Sequence, residues 1–492
     1  MTVLRARWIL AHDGSGHRLL EDGEVRIDAD RIASVGRASG AGAADAIELG
    51  DALLMPGFID LDALSDIDHA ILDSWQPGAG ARRLQWSQRH AEDPDRRHVL
   101  TPDERATMRR FAFAQLLLHG VTTAMPIASE VHSDWAETFD DAVRMAAEAE
   151  MLGLRVFLGP SFRSGVPVVG DDDRMRIQWE PARGDDGLDD AVRFVEWARE
   201  HDSPLVQGVL LPCRIETLTD ALLERIASAA DRLDVLVRLH CLQGLDELRL
   251  LRERGTTPLD LLERVGLLTD RLLIPHGIYT DENPRVGAAG GGSMHRIADA
   301  GSTVIHCPLT SAHYATALDT FDSYRQAGVR LALGTDSFPP DMLRGIDVGS
   351  SVAKILEARL DAGAHGAYIE AATLGGAHAL RRPDLGRIAP GATADVIAIR
   401  LDDVRDGVVD DPIRTAVQHT TARAVDFSMV GGRTCVRGGR LVGTDMQALA
   451  REAQSLFGKL RAGYGDRTQT PTTASDLFPA TFPAWEEPTL DG

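Results

Sequence analysis

Apolar residues in the middle of the chain recur in short runs, and most runs are followed by a stretch with helical spacing. This alternation of strands and amphipathic helices predicts βα units and a parallel sheet. Eight runs have the character of strands, at residues 53–64, 120–126, 155–159, 206–211, 235–240, 272–276, 303–307 and 330–334. Helical patterns cover residues 106–118, 136–150, 189–199, 218–230 and 258–264. Eight repeats predict an α/β fold, a closed (β/α)8 TIM-like barrel, over residues 55–375.

The two ends of the chain show a different pattern. Short strand-like runs are separated by Gly and Asp, which favour turns, within residues 1–54 and again within residues 376–445. The simplest packing joins these two segments into one small β-sandwich domain beside the barrel. Residues 446–492 are predicted to form a terminal helix, over 447–464, and a flexible tail rich in Thr, Pro and Asp.

Composition narrows the classes of partner. The formal net charge of −22 repels phosphate backbones, so we expect no nucleic-acid partner. The chain has no apolar run of about 18 residues and no long apolar stretch at its start, so we expect neither a membrane span nor a signal peptide. Four scattered cysteines predict reduced thiols in a cytoplasmic protein.

The last four predicted strands each end in a residue that can bind a metal ion or move a proton. These residues are His240, His276, His306 and Asp336. A single histidine after an apolar run is more often a hydrogen-bonded core residue. Three histidines and an aspartate at equivalent strand ends nevertheless predict one shared site, because parallel strands of a barrel open onto one face. Imidazole and carboxylate are ligands of divalent ions, and such an ion can activate water.

The first predicted strand ends in a cluster of acidic residues. It contains Asp60, Asp62, Asp66, Asp68 and His69. Because this cluster directly follows a buried strand, we expect it to contribute to the same site, although a solvated acidic loop is the alternative.

Five motifs in this order resemble the amidohydrolase superfamily, in particular its cytosine/guanine deaminase-like and chlorohydrolase-like branch. They are MPGFID at 55–60, then RLHCLQ, IPHGIYTDEN, IHCPLTSAH and LALGTDSFP at the fifth to eighth strands. The resemblance covers residues 1 to about 445, and GRIAPGATADVIAI at 386–399 resembles the family's return to its small sheet domain. It implies that His240 and Asp336 are metal ligands, that Asp336 also moves a proton, and that His276 contacts the attacking water or the substrate.

Two positions depart from the family pattern. After PGFID the family has two metal-binding histidines in the order x-His-x-His, whereas this chain has Asp62 and Leu64. The deaminase branch usually has a glutamate that protonates the leaving nitrogen where this chain has Gln243, and an amide cannot act as a general acid.

Three interpretations follow from these departures. In the first, Asp62 replaces one histidine and a divalent ion, either zinc or a harder ion such as manganese or iron, is held by Asp62, His240, His276 and Asp336. In the second, the site holds no metal, and the Asp and His side chains perform acid–base or lyase-type chemistry. In the third, the chain is an inactive barrel that binds a ligand. The first interpretation predicts hydrolysis of a non-peptide C–N bond, with Asp62, His276 and Asp336 in catalytic roles.

Further residues are candidates for contacts with a small polar or heterocyclic substrate. Arg163 and Arg214 follow the third and fourth strands and could bind an anionic group, although ion pairs with nearby acids are an equally simple role. The complete set of predicted substrate-binding residues is Gln243, His306, Arg214, Arg163, Thr123, Ser311 and His69. The family resemblance also implies a homo-oligomer, such as a dimer.

Overall fold

The computed structural model describes residues 1–38, 46–66, 86–93, 98–127, 137–172, 174–287, 291–318, 321–337, 339–469 and 472–485. Within them, both ends of the chain contribute to one sheet of nine strands. Its strands are β1 (Thr2–His12), β2 (His17–Asp28), β3 (Arg31–Arg37), β4 (Ile47–Glu48), β5 (Ala52–Pro56), β19 (Val396–Arg400), β20 (Val425–Val430), β21 (Arg433–Arg437) and β22 (Arg440–Leu441). The two segments join where β5 pairs antiparallel with β19. The predicted union of the terminal segments is therefore present, as one continuous sheet with its own apolar core.

All eight strands predicted for the middle of the chain are present, in two parallel sheets of four. The strands are β6 (Phe58–Leu64), β8 (Val121–Ile127), β9 (Arg155–Leu158), β13 (Val206–Gly208), β15 (Val237–Arg238), β16 (Leu272–Pro275), β17 (Thr303–His306) and β18 (Arg330–Leu333). One sheet has the order β13–β9–β8–β6 and the other β15–β16–β17–β18. Backbone hydrogen bonds link the two sheets at both edges, from Arg238 to Leu210 (3.0 Å) and from Asp336 to Asp62 (2.9 Å).

An apolar cluster, which we call the central core, lies between these strands. Each strand or its immediate continuation contributes to it, through Ile59, Leu61, Met125, Phe157, Val209, Leu211, Leu236, Leu273, Ile305, Cys307 and Ala332. Ala377, Ala379, Leu380 and Leu385 complete the same cluster. Residues 377–385 therefore pack with the strands of the middle region, although the sequence pattern placed residues 376–445 with the terminal sheet.

Helices follow most of the parallel strands along the chain, and others lie near its C-terminal end. They are α1 (Gln88–Glu92), α2 (Pro102–Leu118), α3 (Phe139–Leu152), α4 (Pro181–His201), α5 (Asp220–Leu233), α6 (Leu245–Glu253), α7 (Pro258–Arg264), α8 (Ser293–Ala300), α9 (Pro308–His313), α10 (Phe321–Gln326), α11 (Met342–Glu357), α12 (His365–Glu370), α13 (Gly376–Ala379), α14 (Pro412–His419), α15 (Met446–Ala462) and α16 (Ala474–Leu477). None of the described helices is long and apolar enough to cross a membrane. The four cysteines are buried and form no disulfide with one another.

The run at 53–64, predicted as one strand, is divided between the two parts of the fold. Gly57 separates β5 from β6, and its N–H donates to the carbonyl of Asp395 (3.0 Å). A Cβ at Gly57 would lie 2.1 Å from Oγ1 of Thr122, so glycine allows the close approach of β6 to β8. The sheet domain and the first parallel strand are thus joined without a linker.

A buried ion pair joins the terminal sheet to the parallel strands. Arg155, the first residue of β9, donates from Nε and Nη2 to the two carboxylate oxygens of Asp395, each at 3.1 Å. Asp395 also accepts from the N–H of Gly431 at 2.7 Å. Both charged side chains are buried, so the pair fixes the sheet domain against the base of the parallel strands.

Two smaller sheets and the C-terminal segment complete the described structure. β7 (Trp86–Ser87), β11 (Gly165–Val169) and β12 (Met175–Trp179) form a sheet whose hairpin the sequence analysis did not predict, and β10 (Ser161–Phe162) pairs with β14 (Leu211–Pro212). Helix α15 matches the predicted terminal helix and packs on α2. The region predicted as a flexible tail includes α16, and Tyr464 and Phe478 are buried against each other.

Candidate active site

Three polar side chains meet at the carboxyl ends of the parallel strands. Asp62 lies near the end of β6, and His240 and His276 follow β15 and β16. The Oδ2 atom of Asp62 lies 3.5 Å from Nε2 of His240 and 3.9 Å from Nε2 of His276. All three residues are buried, and one ligand atom from each lies within 4.8 Å of the other two. We call these three residues and Asp336 the Asp–His cluster.

Asp336 completes the Asp–His cluster from the end of β18. Its Oδ2 lies 3.8 Å from Nε2 of His276, and its side chain is 15% exposed whereas that of His276 is 2% exposed. Both residues have left-handed backbone, with φ of +43° at Asp336 and +69° at His276. Positive φ at residues other than glycine is strained and persists where the surroundings enforce it. At Asp336 the left-handed backbone is held by two hydrogen bonds, one from its N–H to the carbonyl of Asp62 and one from the Thr310 hydroxyl to its own carbonyl.

The two imidazoles present Nε2 toward the carboxylates. His240 Nδ1 lies 3.1 Å from the carbonyl of Cys213 and donates to it, so Nε2 is the nitrogen left to face Asp62 or a metal ion. Burial lowers the pKa of His276 to about 3, which leaves its ring neutral at physiological pH. Its Nε2 has no hydrogen-bond partner among the described residues. Both rings can therefore donate a nitrogen lone pair to a metal ion.

A buried arginine lies on the other side of Asp62. Arg238 Nη1 lies 3.5 Å from Oδ1 of Asp62, and the guanidinium donates to the carbonyl oxygens of Met125 (2.7 Å), Pro126 (3.1 Å) and Leu61 (3.3 Å). Burial alone would raise the pKa of Asp62, but His240 and Arg238 outweigh burial and hold that pKa well below its ordinary value. Asp62 is therefore ionised at neutral pH.

The residues of the Asp–His cluster fit a divalent metal ion. They offer two imidazole nitrogens and two carboxylates, which are ligand types of zinc, manganese and iron sites. Asp62 Oδ1 and His276 Nε2 are buried and make no hydrogen bond within the described part of the chain. Leu64, at the position of the family's second first-strand histidine, is buried and offers no ligand atom.

Asp60 does not belong to this donor set. Its carboxylate accepts from the N–H (3.0 Å) and hydroxyl (2.5 Å) of Thr335, so it ties β6 to the end of β18. Burial raises the pKa of Asp60 to about 6, against the opposing effect of these hydrogen bonds. The residue serves to hold the first and last parallel strands in register.

Gln243 and Arg214 lie together at the ends of the fifth and fourth parallel strands. Nη1 of Arg214 donates to Oε1 of Gln243, and Nε of Arg214 donates to the buried Glu216 at 2.7 Å. The backbone N–H of Gln243 donates to Glu247 at 2.9 Å. Because a guanidinium has only donors, the Gln243 amide must turn its oxygen to Arg214 and its NH2 group away. Arg214 therefore contacts acidic and amide groups of the protein itself.

His306 does not face the Asp–His cluster, contrary to the prediction. Its ring packs at 6.0 Å from the rings of both Phe321 and Tyr368, in the helical layer, and Ser311 lines the same small cavity. Side chains alternate along a strand, so His306 shares the outward side of Val304 while Ile305 and Cys307 face the central core. Cys307 is the residue of this strand that reaches the site, with Sγ 3.7 Å from Oδ2 of Asp62.

The remaining predicted residues have other positions. Thr123 is buried and pairs with Ile59, near the start of β6. It therefore lies two residues before Met125 on β8 and below the carboxyl ends of the strands, where the site is formed. Arg163 is buried with its guanidinium 5.8 Å from the ring of Trp86. His69 lies outside the described residues, and its role stays a prediction.

The sequence analysis missed Arg238 and Cys307. Both could have been found from strand alternation. Arg238, the last residue of β15, lies two residues before His240, so in an extended backbone the two side chains share one side. Cys307 follows the core residue Ile305 by two positions.

Gly334 makes room for Asp62, and we expect Gly334→Ala to disrupt the site. A Cβ at Gly334 would lie 2.6 Å from Cβ of Asp62 and 3.0 Å from its backbone nitrogen. The aspartate must move, so we expect at least a tenfold loss of metal affinity, measured by titration of metal-depleted protein. Gly366→Ala, where the new Cβ meets no atom within 4 Å, is the matched control and should bind metal like the wild type. Equal affinity in the Gly334 variant would contradict the prediction.

His306 is expected to make stability depend on pH. Burial lowers its pKa to about 3, whereas the unfolded chain takes up this proton near the ordinary value of 6.5. The free energy of unfolding therefore falls as the pH is lowered from about 6.5 toward 3, by about 1.4 kcal/mol per pH unit for each such histidine. His306→Phe keeps the aromatic packing and should reduce this slope by that amount in denaturant titrations at pH 7, 6 and 5. An unchanged slope would show that the histidine is protonated in the folded protein.

Comparison with known proteins identifies the protein family to which the chain is similar. Residues 53–435 match the description "Amidohydrolase family". An 8-oxoguanine deaminase of Pseudomonas aeruginosa is 29% identical over 373 residues, which cover 74% of this chain and 79% of that protein. A 5-methylthioadenosine/S-adenosylhomocysteine deaminase of Pyrococcus abyssi is 25% identical over 429 residues, covering 86% and 91%.

Solved structures show the same fold. An adenosine deaminase from Xanthomonas campestris with bound zinc superposes with a TM-score of 0.73 at 22% identity, over 94% of this chain and 98% of that one. An atrazine chlorohydrolase from Arthrobacter aurescens complexed with zinc superposes with a TM-score of 0.74 at 21% identity, over 93% and 100%. The fold is thus TIM-barrel-like, with an additional sheet domain.

Proposed function

Because the chain belongs to the amidohydrolase family, we propose that it is a hydrolase that cleaves a non-peptide C–N bond in a small heterocyclic substrate. The observation that carries this proposal is the convergence of Asp62, His240, His276 and Asp336 at one set of strand ends. The two relatives described above are deaminases of purine-type compounds, which supports an amino-substituted heterocycle as the substrate class. We also infer that the two four-stranded sheets close into one barrel of eight strands, since hydrogen bonds link both edges.

A divalent ion is the cofactor that these residues favour. His240 and His276 would bind through Nε2, and Asp62 and Asp336 through carboxylate oxygens. Such an ion supplies a Lewis acid that activates water for attack on an electron-poor ring carbon. The zinc in the two structural neighbours supports a divalent ion, and the larger share of oxygen ligands in this chain extends the candidates to manganese and iron.

Asp336 is the residue that would accept the proton of the attacking water. Among the four cluster residues its side chain is the most exposed, so it lies on the side from which water and substrate approach. Its backbone is held in one orientation by the hydrogen bonds at its N–H and carbonyl. A fixed carboxylate beside the reacting atoms can take a proton from water and pass it to the leaving nitrogen.

Gln243 would bind the substrate without donating a proton to the leaving group. Its oxygen is occupied by Arg214, so its NH2 group can donate a hydrogen bond to an acceptor atom of the heterocycle. An amide has no ionisable proton in this pH range. The proton needed by the leaving nitrogen must then come from Asp336, which makes this carboxylate act twice in the cycle.

A metal-free acid–base enzyme is the second candidate, and one observation favours it. Arg238 already provides Asp62 with a cation at 3.5 Å, so the charge of this carboxylate is balanced without a metal. Asp62 and Asp336 on either side of a neutral His276 could then exchange protons with a substrate.

Metal analysis together with an activity screen distinguishes the candidates. We expect the full chain, purified without chelator, to contain about one zinc, manganese or iron ion per chain and to release ammonia from an amino-substituted purine, pyrimidine or triazine. Turnover by folded protein with only trace metal would replace the first candidate by the second. Folded protein that binds heterocycles but turns none over would show an inactive barrel and overturn both.

A further inference from the structure

Arg238 crosses the space between the fifth parallel strand and the first two. It is buried, and its guanidinium is held by three carbonyl oxygens of β6 and β8, at 2.7 to 3.3 Å. These three hydrogen bonds hold the guanidinium of Arg238 in one place. Its contact with Asp62 is therefore a fixed feature of the strand ends and not a flexible surface ion pair.

The charge of the Asp–His cluster explains why a cation is needed there. Asp62 stands where the family resemblance implies a neutral histidine, so the aspartate adds one negative charge to a buried site. A buried carboxylate without a partner is strongly destabilised. Arg238 adds one positive charge 3.5 Å from Oδ1 of this same residue. The arginine thus restores the charge balance that the histidine would have given.

The two oxygens of Asp62 have different surroundings. Oδ1 faces Arg238, whereas Oδ2 faces His240 at 3.5 Å and His276 at 3.9 Å. The guanidinium therefore determines which oxygen is directed at the imidazole nitrogens. Cys307 Sγ lies 3.7 Å from Oδ2, and a Cβ at Gly334 would lie 2.6 Å from Cβ of Asp62, so the surroundings of this side chain are tightly packed.

We propose that Arg238 is a positioning residue that holds the carboxylate of Asp62 oriented as a metal ligand, so that Asp62 and Arg238 together stand in for the first-strand histidine that the family resemblance implies. This inference rests on the proposed metal-dependent function. It assigns Arg238 no contact with the substrate. It also explains how the chain could dispense with the first-strand histidine pair, because a carboxylate ligand becomes acceptable once its charge is compensated from the fifth strand.

A double-mutant cycle in the metal-depleted full chain tests the proposal, with Zn²⁺ as the probe. Arg238→Met should weaken Zn²⁺ binding by about 10- to 100-fold, which is typical for residues that orient a ligand. Arg238→Lys, which keeps the charge, should recover part of the loss. Asp62→His alone places an imidazole beside an uncompensated arginine and should also bind weakly. The double variant Asp62→His/Arg238→Met should bind Zn²⁺ more tightly than either single variant, a non-additivity that defines coupled residues.

Two further measurements separate positioning from general stability. Arg155→Met removes another buried arginine far along the chain from the Asp–His cluster, so it should lower thermal stability and leave Zn²⁺ affinity unchanged. Co²⁺ bound in place of zinc should give a visible spectrum that changes in Arg238→Met and not in Arg155→Met.

Each outcome decides a specific point. Folded wild-type protein that binds no Zn²⁺ would overturn the metal-dependent function and this proposal with it. Wild-type binding with equal affinity in Arg238→Met would overturn the proposal alone. If Arg238→Met does not fold, the comparison of Asp62→His with the double variant remains, and a double variant that binds no more tightly than Asp62→His would overturn the proposal.

Discussion

Replacement of Asp336 by asparagine is expected to abolish turnover while the protein stays folded. The amide preserves the shape of the side chain, which is 15% exposed, and the hydrogen bonds of the Asp336 backbone. It removes the group that would accept the proton from water, so we expect kcat/KM to fall by about 100- to 10,000-fold. The measurement is ammonia release from the best substrate of the heterocycle screen, with the thermal midpoint as evidence of folding.

The control for this variant is Asp361→Asn, at a carboxylate whose side chain is 83% exposed. It should leave kcat/KM unchanged. Loss of metal together with activity in Asp336→Asn would identify the carboxylate as a ligand as well as a base, whereas loss of activity with full metal content would leave only the proton-transfer role. Retained activity would remove Asp336 from the proposed mechanism.

Replacement of Asp395 by alanine is expected to give the largest loss of stability. The carboxylate accepts two hydrogen bonds from Arg155 and one from Gly431, and the ion pair is buried. The variant leaves a buried guanidinium without its partner, which typically costs about 3–5 kcal/mol. Urea denaturation should show this decrease in the free energy of unfolding. Asp410→Ala, which breaks a pair whose aspartate is 92% exposed, should show no measurable change. A small effect at Asp395 would mean that water reaches Arg155.

The positions of the strands could be predicted because each is a short apolar run in a chain of regular βα repeats. For the same reason the convergence of Asp62, His240, His276 and Asp336 could be predicted, since parallel strands direct their last residues to one face. Helix α2 begins at Pro102, before the predicted start at residue 106. The capping box formed by Thr101 and Glu104, together with Pro102 in the first turn, starts the helix there, and the apolar pattern alone does not reveal this start. The hairpin of β11 and β12 lies in an insertion after the third strand, where the repeat pattern gives no guidance.

The side of the strand that a residue occupies was harder to predict than the strand itself. His306 and Cys307 are neighbours, and successive side chains point to opposite sides of a strand. His306 therefore faces the helical layer, whereas Cys307 faces the central core. A histidine is the more usual metal or substrate ligand, so His306 was predicted to face the site. The alternation of side chains from Ile305 instead directs Cys307 to the site. Arg238 was missed for a related reason, because a charged residue within an apolar run was not considered as a buried partner for Asp62.

The pairing of β5 with β19 has a consequence for synthesis on the ribosome. About 340 residues separate Pro56 from Val396, which at cellular elongation rates takes roughly 17 to 70 seconds to translate. During this interval the nascent chain presents β5 with one hydrogen-bonding edge unfilled, and such edges promote aggregation. We expect newly made chains to depend on chaperones until the last strands emerge, and a circular permutant that brings β19–β22 next to β1 to depend on them less.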